Sequence, residues 1–72
     1  MSHDEEIILM FLRSYPDSSF TRKEISRKAV KRTVYEQNPR WADIPLASLV
    51  AQGLVEVDQD GYYRLKKRAI IT

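Results

Sequence analysis

Stretches of helical periodicity and short strand-like runs follow one another along this 72-residue chain, and they predict three helices followed by a β-hairpin. The first helix is expected to begin at Ser2, because Ser2 and Glu5 have the three-residue spacing of a capping box. It should run to about Ser14. Its apolar stripe includes Ile7 and Tyr15, and we expect this side to pack on the rest of the domain.

Leu9 and Met10 lie outside that apolar stripe, so their role is a separate question. In one interpretation, the C-terminal residues of the same domain cover them. In the other, they contribute to a subunit interface, because exposed apolar side chains on a small domain often mark contacts. The sequence leaves both interpretations open.

A second helix is predicted after a short extended piece at residues 19–21. Thr21 and Glu24 have the spacing of a second capping box, so the helix should start there. Its end is expected between Arg32 and Gln37, before a turn-forming Asn-Pro pair. The residues expected on its inner side are Ile25, Ala29 and Thr33.

A third helix is predicted from Asp43, as its N-cap, to Gln52, where Gly53 provides a left-handed exit. Residues 35–43 form the connector before it, with one extra helical turn that ends at Trp41. The buried side of the third helix is expected to hold Leu46, Leu49 and Val50. Its opposite side is expected to expose Ile44, Ala47, Ser48, Ala51 and Gln52.

The hairpin is predicted from two strand-like runs, residues 54–57 and 62–65, which a tight turn over residues 58–61 connects. Gly61 suits the left-handed position of this turn. Residues 69–72 could extend the sheet or trail off from it. Together these elements predict an α+β domain that is mainly α.

In this order, the elements resemble those of a winged helix-turn-helix domain over residues 4–65. The similarity includes the entry into the hairpin, Gly53-Leu54-Val55-Glu56-Val57. It implies a three-helix winged helix-turn-helix with a C-terminal β-hairpin wing, a fold used mostly for nucleic acid but also for protein contacts. The connector departs from the pattern, because the helices of this motif are usually joined by about three or four residues.

Composition narrows the class of protein. An apolar content of 43% supports one small core, so residues 1–72 are expected to form a single domain. Because there is no cysteine and His3 is the only histidine, we expect neither a metal site nor a cofactor. The sequence offers no set of residues that could serve together as nucleophile, general base and orienting group of a catalytic site. We therefore expect neither an enzyme nor a small-molecule substrate.

The sequence near the N-terminus indicates the cellular compartment of the protein. The longest apolar run, residues 7–12, is far shorter than the roughly 20 residues of a membrane span. Three acidic residues precede this run, where a signal peptide would be basic. We therefore expect a cytoplasmic protein without membrane contact.

The net charge of +2 is unevenly distributed along the chain. Residues 1–21 carry a net charge of −3, residues 22–32 carry +5, and residues 33–72 are balanced. The basic block is either the solvated outer face of the second helix or a phosphate-binding surface. The scarcity of acids within it favours phosphate contact, since a helix built only for solubility usually mixes both signs.

The first hypothesis is therefore a DNA-binding protein, a small prokaryotic transcription regulator, with double-stranded DNA as its partner. The second-helix cations and Arg40 would hold phosphates, and Ser48 and Gln52 would read bases. The tip of the wing is acidic and is not expected to grip DNA. The candidate nucleic-acid-binding residues are Arg22, Lys23, Arg27, Lys28, Lys31, Arg32, Arg40, Ser48, Gln52, Arg64 and Lys66.

Two alternatives remain. The small, uncharged outer face of the third helix, together with Leu9 and Met10, could bind another protein. A homodimer is also compatible with the DNA hypothesis, because palindromic sites mirror two-fold symmetry, but the sequence does not locate its contact. A row of exposed aromatic rings could instead bind single-stranded nucleic acid, through Trp41, Tyr62 and Tyr63. Trp41 itself is open to two interpretations, a partly buried core residue or a stacking residue beside Arg40.

Overall fold

A computed structural model describes residues 2–66 of the chain. Within that range, four helices and three short strands form a mainly helical α+β arrangement. The predicted class is confirmed, whereas the predicted number of three helices is wrong. The arrangement is compatible with a winged helix. The elements are α1 (His3–Ser14), β1 (Phe20–Thr21), α2 (Arg22–Lys28), α3 (Arg32–Gln37), α4 (Asp43–Ala51), β2 (Val55–Val57) and β3 (Tyr62–Leu65).

The three strands form one antiparallel sheet in the order β1-β3-β2. The hairpin turn has the predicted character, because the backbone amide of Gly61 donates to the carbonyl of Asp58 and Gly61 has a φ of 84°. The Asp58 carboxylate also accepts hydrogen bonds from the backbone amides of Asp60 and Tyr62. The sheet extension considered for residues 69–72 lies outside the described residues.

Both predicted capping boxes are confirmed. The Ser2 hydroxyl accepts from the Glu5 amide at 3.2 Å, and the Ser2 amide donates to the Glu5 carboxylate at 2.8 Å. The corresponding bonds between Thr21 and Glu24 measure 3.1 and 2.9 Å. Local spacing was therefore sufficient to locate the start of α1 and of α2.

The single second helix expected from the sequence is wrong, because the chain breaks after Lys28 and resumes as α3 at Arg32. Position 30 lies about 140° around a helix from position 25, so an unbroken helix could not pack both inward. The break lets Val30 pack against the same core as Ile25. Thr33, expected on the inner side, is consequently exposed.

The connector before α4 also differs from the expectation. Residues 39–42 form turns instead of a helical turn, with the Trp41 amide donating to the carbonyl of Asn38. Ala42 and not Asp43 is the N-cap of α4, and no side chain caps it. The exit through Gly53 is as predicted, with a φ of 78°. Burial of both Trp41 and Ala42 accounts for the tight turn, since both side chains must reach the core.

The hydrophobic core lies between α1, α2, α4 and the base of the hairpin. Trp41 belongs to this core, and its indole N–H donates to the buried carbonyl of Ser26 at 2.9 Å. The Ser26 carbonyl is at the end of α2, where a helix has no partner of its own for its last carbonyls. The buried apolar residues are Ile8, Leu9, Leu12, Ile25, Trp41, Ala42, Leu46, Leu49 and Val55.

Leu9 and Met10, the two residues outside the apolar stripe of α1, differ in burial. Leu9 is buried in the core, and it lines a surface cavity with Leu54 and Leu65 at the base of the hairpin. Met10 stays exposed. Tyr15, expected to be part of the buried stripe, is also exposed, although its ring packs 5.3 Å from that of Phe11.

Within residues 2–66, no helix has both the length and the apolar character to cross a bilayer.

Candidate nucleic-acid interface

An open groove of about 690 Å³ lies where α2 and α3 meet. Residues 29–31 separate the two helices, and side chains of both α2 and α3 line the groove. The basic block is thereby divided between two helices that face a common space. The groove is lined by Lys23, Arg27, Arg32, Tyr35 and Glu36.

Some cations of the basic block are neutralised and others are not. Within residues 2–66, ion pairs join Arg22 to Asp43, Lys28 to Glu24, and Arg32 to Glu36. No acid of the described range pairs with Lys23, Arg27 or Lys31. The unneutralised charge of the block therefore includes both α2 cations of the groove.

The pair between Arg32 and Glu36 restrains Arg32 only weakly. Their side chains are 3.5 Å apart, with 87% of Arg32 and 58% of Glu36 exposed to solvent. An exposed pair at this spacing contributes about 0.3–0.5 kcal/mol to helix stability. Arg32 can therefore exchange Glu36 for an incoming anion at small cost.

Glu24, the acid within the basic block, is committed to the start of α2. Its pKa lies below the usual range, mainly because its carboxylate accepts the hydrogen bond from the backbone amide of Thr21. The Thr21 hydroxyl and Lys28 also favour the ionised form. Glu24 is also absent from the lining of the groove between α2 and α3.

Ser48 and Gln52, expected on the outer face of α4, are turned toward α1. The Ser48 hydroxyl donates to the Glu5 carboxylate at 2.8 Å, and the Gln52 amide donates to the same oxygen at 2.7 Å. Base reading by these residues stays a prediction, and it would require them to leave Glu5. The outer face of α4 is formed by Ile44, Ala47 and Ala51.

Glu5 is almost fully buried, and its environment keeps it ionised. The Ser2 backbone amide and the Ser48 hydroxyl, in that order, lower the pKa of Glu5 to about 2. The sequence indicated only the capping role of Glu5. The four-residue spacing of Ser48 and Gln52 was the available signal for a shared partner, but it did not identify Glu5 as that partner.

The remaining candidate cations lie outside the groove. Arg40 is in the turn before α4, 3.9 Å from the Asp43 carboxylate. Arg64 pairs with Glu56 at 2.6 Å on the hairpin, and Lys66 lines a separate cavity with Leu54. The structure thus gathers some of the predicted cations and leaves the wing cations elsewhere.

Tyr35 was missed by the sequence reasoning, which assigned it to the start of the connector. Its half-buried ring lines the groove, where a phenolic hydroxyl can donate to an anion. Tyr35 follows Arg32 by three residues, but this spacing is informative only once α3 is known to be a helix.

Among residues 2–66, no group of three or more metal-binding side chains is close enough to hold a metal ion.

Comparison with known proteins gives no family for this geometry. No protein-family model matches the chain, and neither curated proteins nor solved structures show a significant match to it.

Proposed function

We propose that this chain is a DNA-binding protein of the winged-helix type, which holds the phosphates of duplex DNA in the groove between α2 and α3. The observation that carries the proposal is the convergence of Lys23, Arg27 and Arg32 on one groove. Two of these cations are free of ion pairs within residues 2–66, and the third has a weak exposed pair. Such a surface gains free energy by displacing the counterions of a polyanion.

The order of the elements supports the same conclusion. A strand precedes α2, the hairpin follows α4, and β1 pairs with β3, an arrangement compatible with a winged helix. A module of this kind that occupies a stretch of duplex would exclude other proteins from it. We further propose that it acts as a small prokaryotic transcription regulator in the cytoplasm.

The first experiment is fluorescence anisotropy with a labelled random-sequence duplex at several salt concentrations. About four phosphate contacts, from the groove cations and Lys31, predict a slope of log K against log salt of roughly −3 to −4. The absence of binding even at low salt would overturn the proposal. The measurement requires neither a known target site nor a partner protein.

A pair of charge-matched variants locates the interface. Lys23→Glu with Arg27→Glu should weaken binding by about tenfold or more and reduce the slope by about 2. The control, Arg13→Glu with Ser18→Glu and Gln59→Glu, makes the same change in net charge at exposed positions outside the groove. It should retain most of the affinity. Equal loss in both variants would contradict the assignment to the groove, since net charge alone would then account for binding.

A second candidate function is a protein contact through the outer face of α4. The observation that favours it is Ile44, which is 83% exposed on a face that also carries Ala47 and Ala51. An exposed apolar face with small side chains suits the close approach of a second copy of the chain. Sedimentation equilibrium over a range of concentrations would detect that dimer, and Ile44→Glu should dissociate it. A monomer at all concentrations would exclude self-association through this face.

A further inference from the structure

The helix that precedes the hairpin, α4, has its polar side chains engaged within the domain. Ser48 and Gln52 donate to Glu5, and Asp43 accepts from Arg22 at 2.6 Å. Reading a base pair requires hydrogen-bonding groups directed at the base edges. The outer residues of α4, which are Ile44, Ala47 and Ala51, offer only apolar contacts.

The short helix α3 has the opposite character. None of its residues is buried. Thr33 and Gln37 are both exposed and are four positions apart, so they lie on the same side of the helix. Neither side chain makes a hydrogen bond within residues 2–66, so both are available to an external partner.

The connection between α2 and α3 also suits DNA contact. Residues 29–31 join the two helices, which is the length usual for the turn of a helix-turn-helix, about three or four residues. Lys23 and Arg27 on α2 lie beside α3 in the groove. Cations in this position can hold the phosphates that border a DNA groove while the neighbouring helix enters it.

We propose that α3, and not α4, enters the major groove of the duplex, with Thr33 and Gln37 directed at the base edges. The inference rests on the proposed DNA-binding function and identifies the part of the protein that reads sequence. Gln37 can bond an adenine through both atoms of its amide, and the methyl group of Thr33 can contact a thymine methyl. Because α3 is only about 9 Å long, the site it reads should be short.

Two matched double variants test which helix contacts DNA. Thr33→Glu with Gln37→Glu, and Ala47→Glu with Ala51→Glu, each place two carboxylates one turn apart on exposed positions. At physiological salt, charges act over about 8 Å, so each pair reports on its own surface. The α3 variant should lose about tenfold or more in affinity for a random duplex, and the α4 variant less than about threefold.

The opposite result, or equal loss in both variants, would overturn the assignment of α3. If the parent chain itself failed to bind at low salt, the proposed function would fall first, so the two failures are distinguishable. Lysine variants at the same positions guard against misfolding. Thr33→Lys with Gln37→Lys should tighten binding, whereas Ala47→Lys with Ala51→Lys should not, and a misfolded protein would not bind more tightly.

Selection from a random duplex pool then tests base reading. The parent chain should enrich a short motif that contains an adenine, and Gln37→Ala should lose the preference at that position by about tenfold while it keeps its affinity for random duplex. The matched control is Gln59→Ala in the hairpin turn, which should leave the motif intact. An unchanged motif with Gln37→Ala would overturn the role of Gln37.

Discussion

Glu5, in the first turn of α1, accepts a 2.7 Å hydrogen bond from Gln52, the C-cap of α4, although the two residues are 47 positions apart. The other oxygen of the same carboxylate accepts from the Ser2 amide and closes the capping box. One acidic side chain therefore both starts the first helix and joins it to the end of the helix before the hairpin. The hydrogen bonds from Ser2, Ser48 and Gln52 favour the ionised form of this carboxyl group.

This arrangement predicts a dependence of stability on acid pH. The pKa of Glu5 is about 2 in the folded protein, against the ordinary value of 4.5, so the ionised form stabilises the fold. The contribution is complete above about pH 4.5 and is lost as the pH falls through about 2. Urea denaturation between these limits should show a flatter pH dependence for Glu5→Gln than for the parent. Glu6→Gln, an exposed neighbour, is the control, and a parallel curve for Glu5→Gln would refute the prediction.

The bond from Trp41 to the Ser26 carbonyl predicts a second effect. Trp41→Phe keeps an aromatic ring in the core but leaves a buried carbonyl without its donor. An unsatisfied buried polar group costs about 1–3 kcal/mol, and the free energy of unfolding in urea should fall by that amount or more. Tyr62→Phe, at an exposed ring, should change it by less than about 0.5 kcal/mol. Similar changes in the free energy of unfolding for the two variants would show that the hydrogen bond from Trp41 contributes little to stability.

The hairpin turn should depend on the backbone conformation of Gly61. With a φ of 84° and no atom within 4 Å of an added Cβ, Gly61→Ala has no steric neighbour, so its cost is backbone strain alone. We expect a loss of about 1–2 kcal/mol in the free energy of unfolding. Gly61→Asn should cost less, because asparagine adopts the left-handed region more readily. The control is Gln59→Ala in the same turn, and equal stability of the two alanine variants would contradict the prediction.

The contact between Arg22 and Asp43 connects the start of α2 to the start of α4. Both side chains are partly exposed, at 44% and 33%, so a double-mutant cycle should give a coupling of about 0.5–1 kcal/mol, despite their separation of 2.6 Å. The cycle between Arg40 and the same Asp43, at 3.9 Å, should give a value near zero. A larger coupling for Arg40 than for Arg22 would show that the pairing differs in solution.

The helix starts and the hairpin turn could be predicted from the sequence because their signals are local. Ser2 with Glu5, and Thr21 with Glu24, interact across three residues, and their capping chemistry holds whatever surrounds them. The left-handed Gly61 similarly follows from the turn alone. These short-range rules were enough to predict a mainly helical α+β domain.

The second helix was predicted as one element because its own residues contain no breaker. Proline and glycine are absent from residues 22–37, so helical propensity alone favours continuity. The break after Lys28 is a tertiary effect, since it lets Val30 reach the core and leaves the Ser26 carbonyl to Trp41. No local signal specifies either partner.

For the candidate site, too, one part could be predicted from the sequence and the other part could not. The sequence by itself determined that a run of cations lies between residues 22 and 32, because charge is a property of composition. Only the tertiary structure decided that Lys23, Arg27 and Arg32 share a groove with Tyr35, and that Ser48 and Gln52 turn toward Glu5. The physical reason is that the direction of a side chain depends on the packing of whole helices, and distant parts of the chain set that packing.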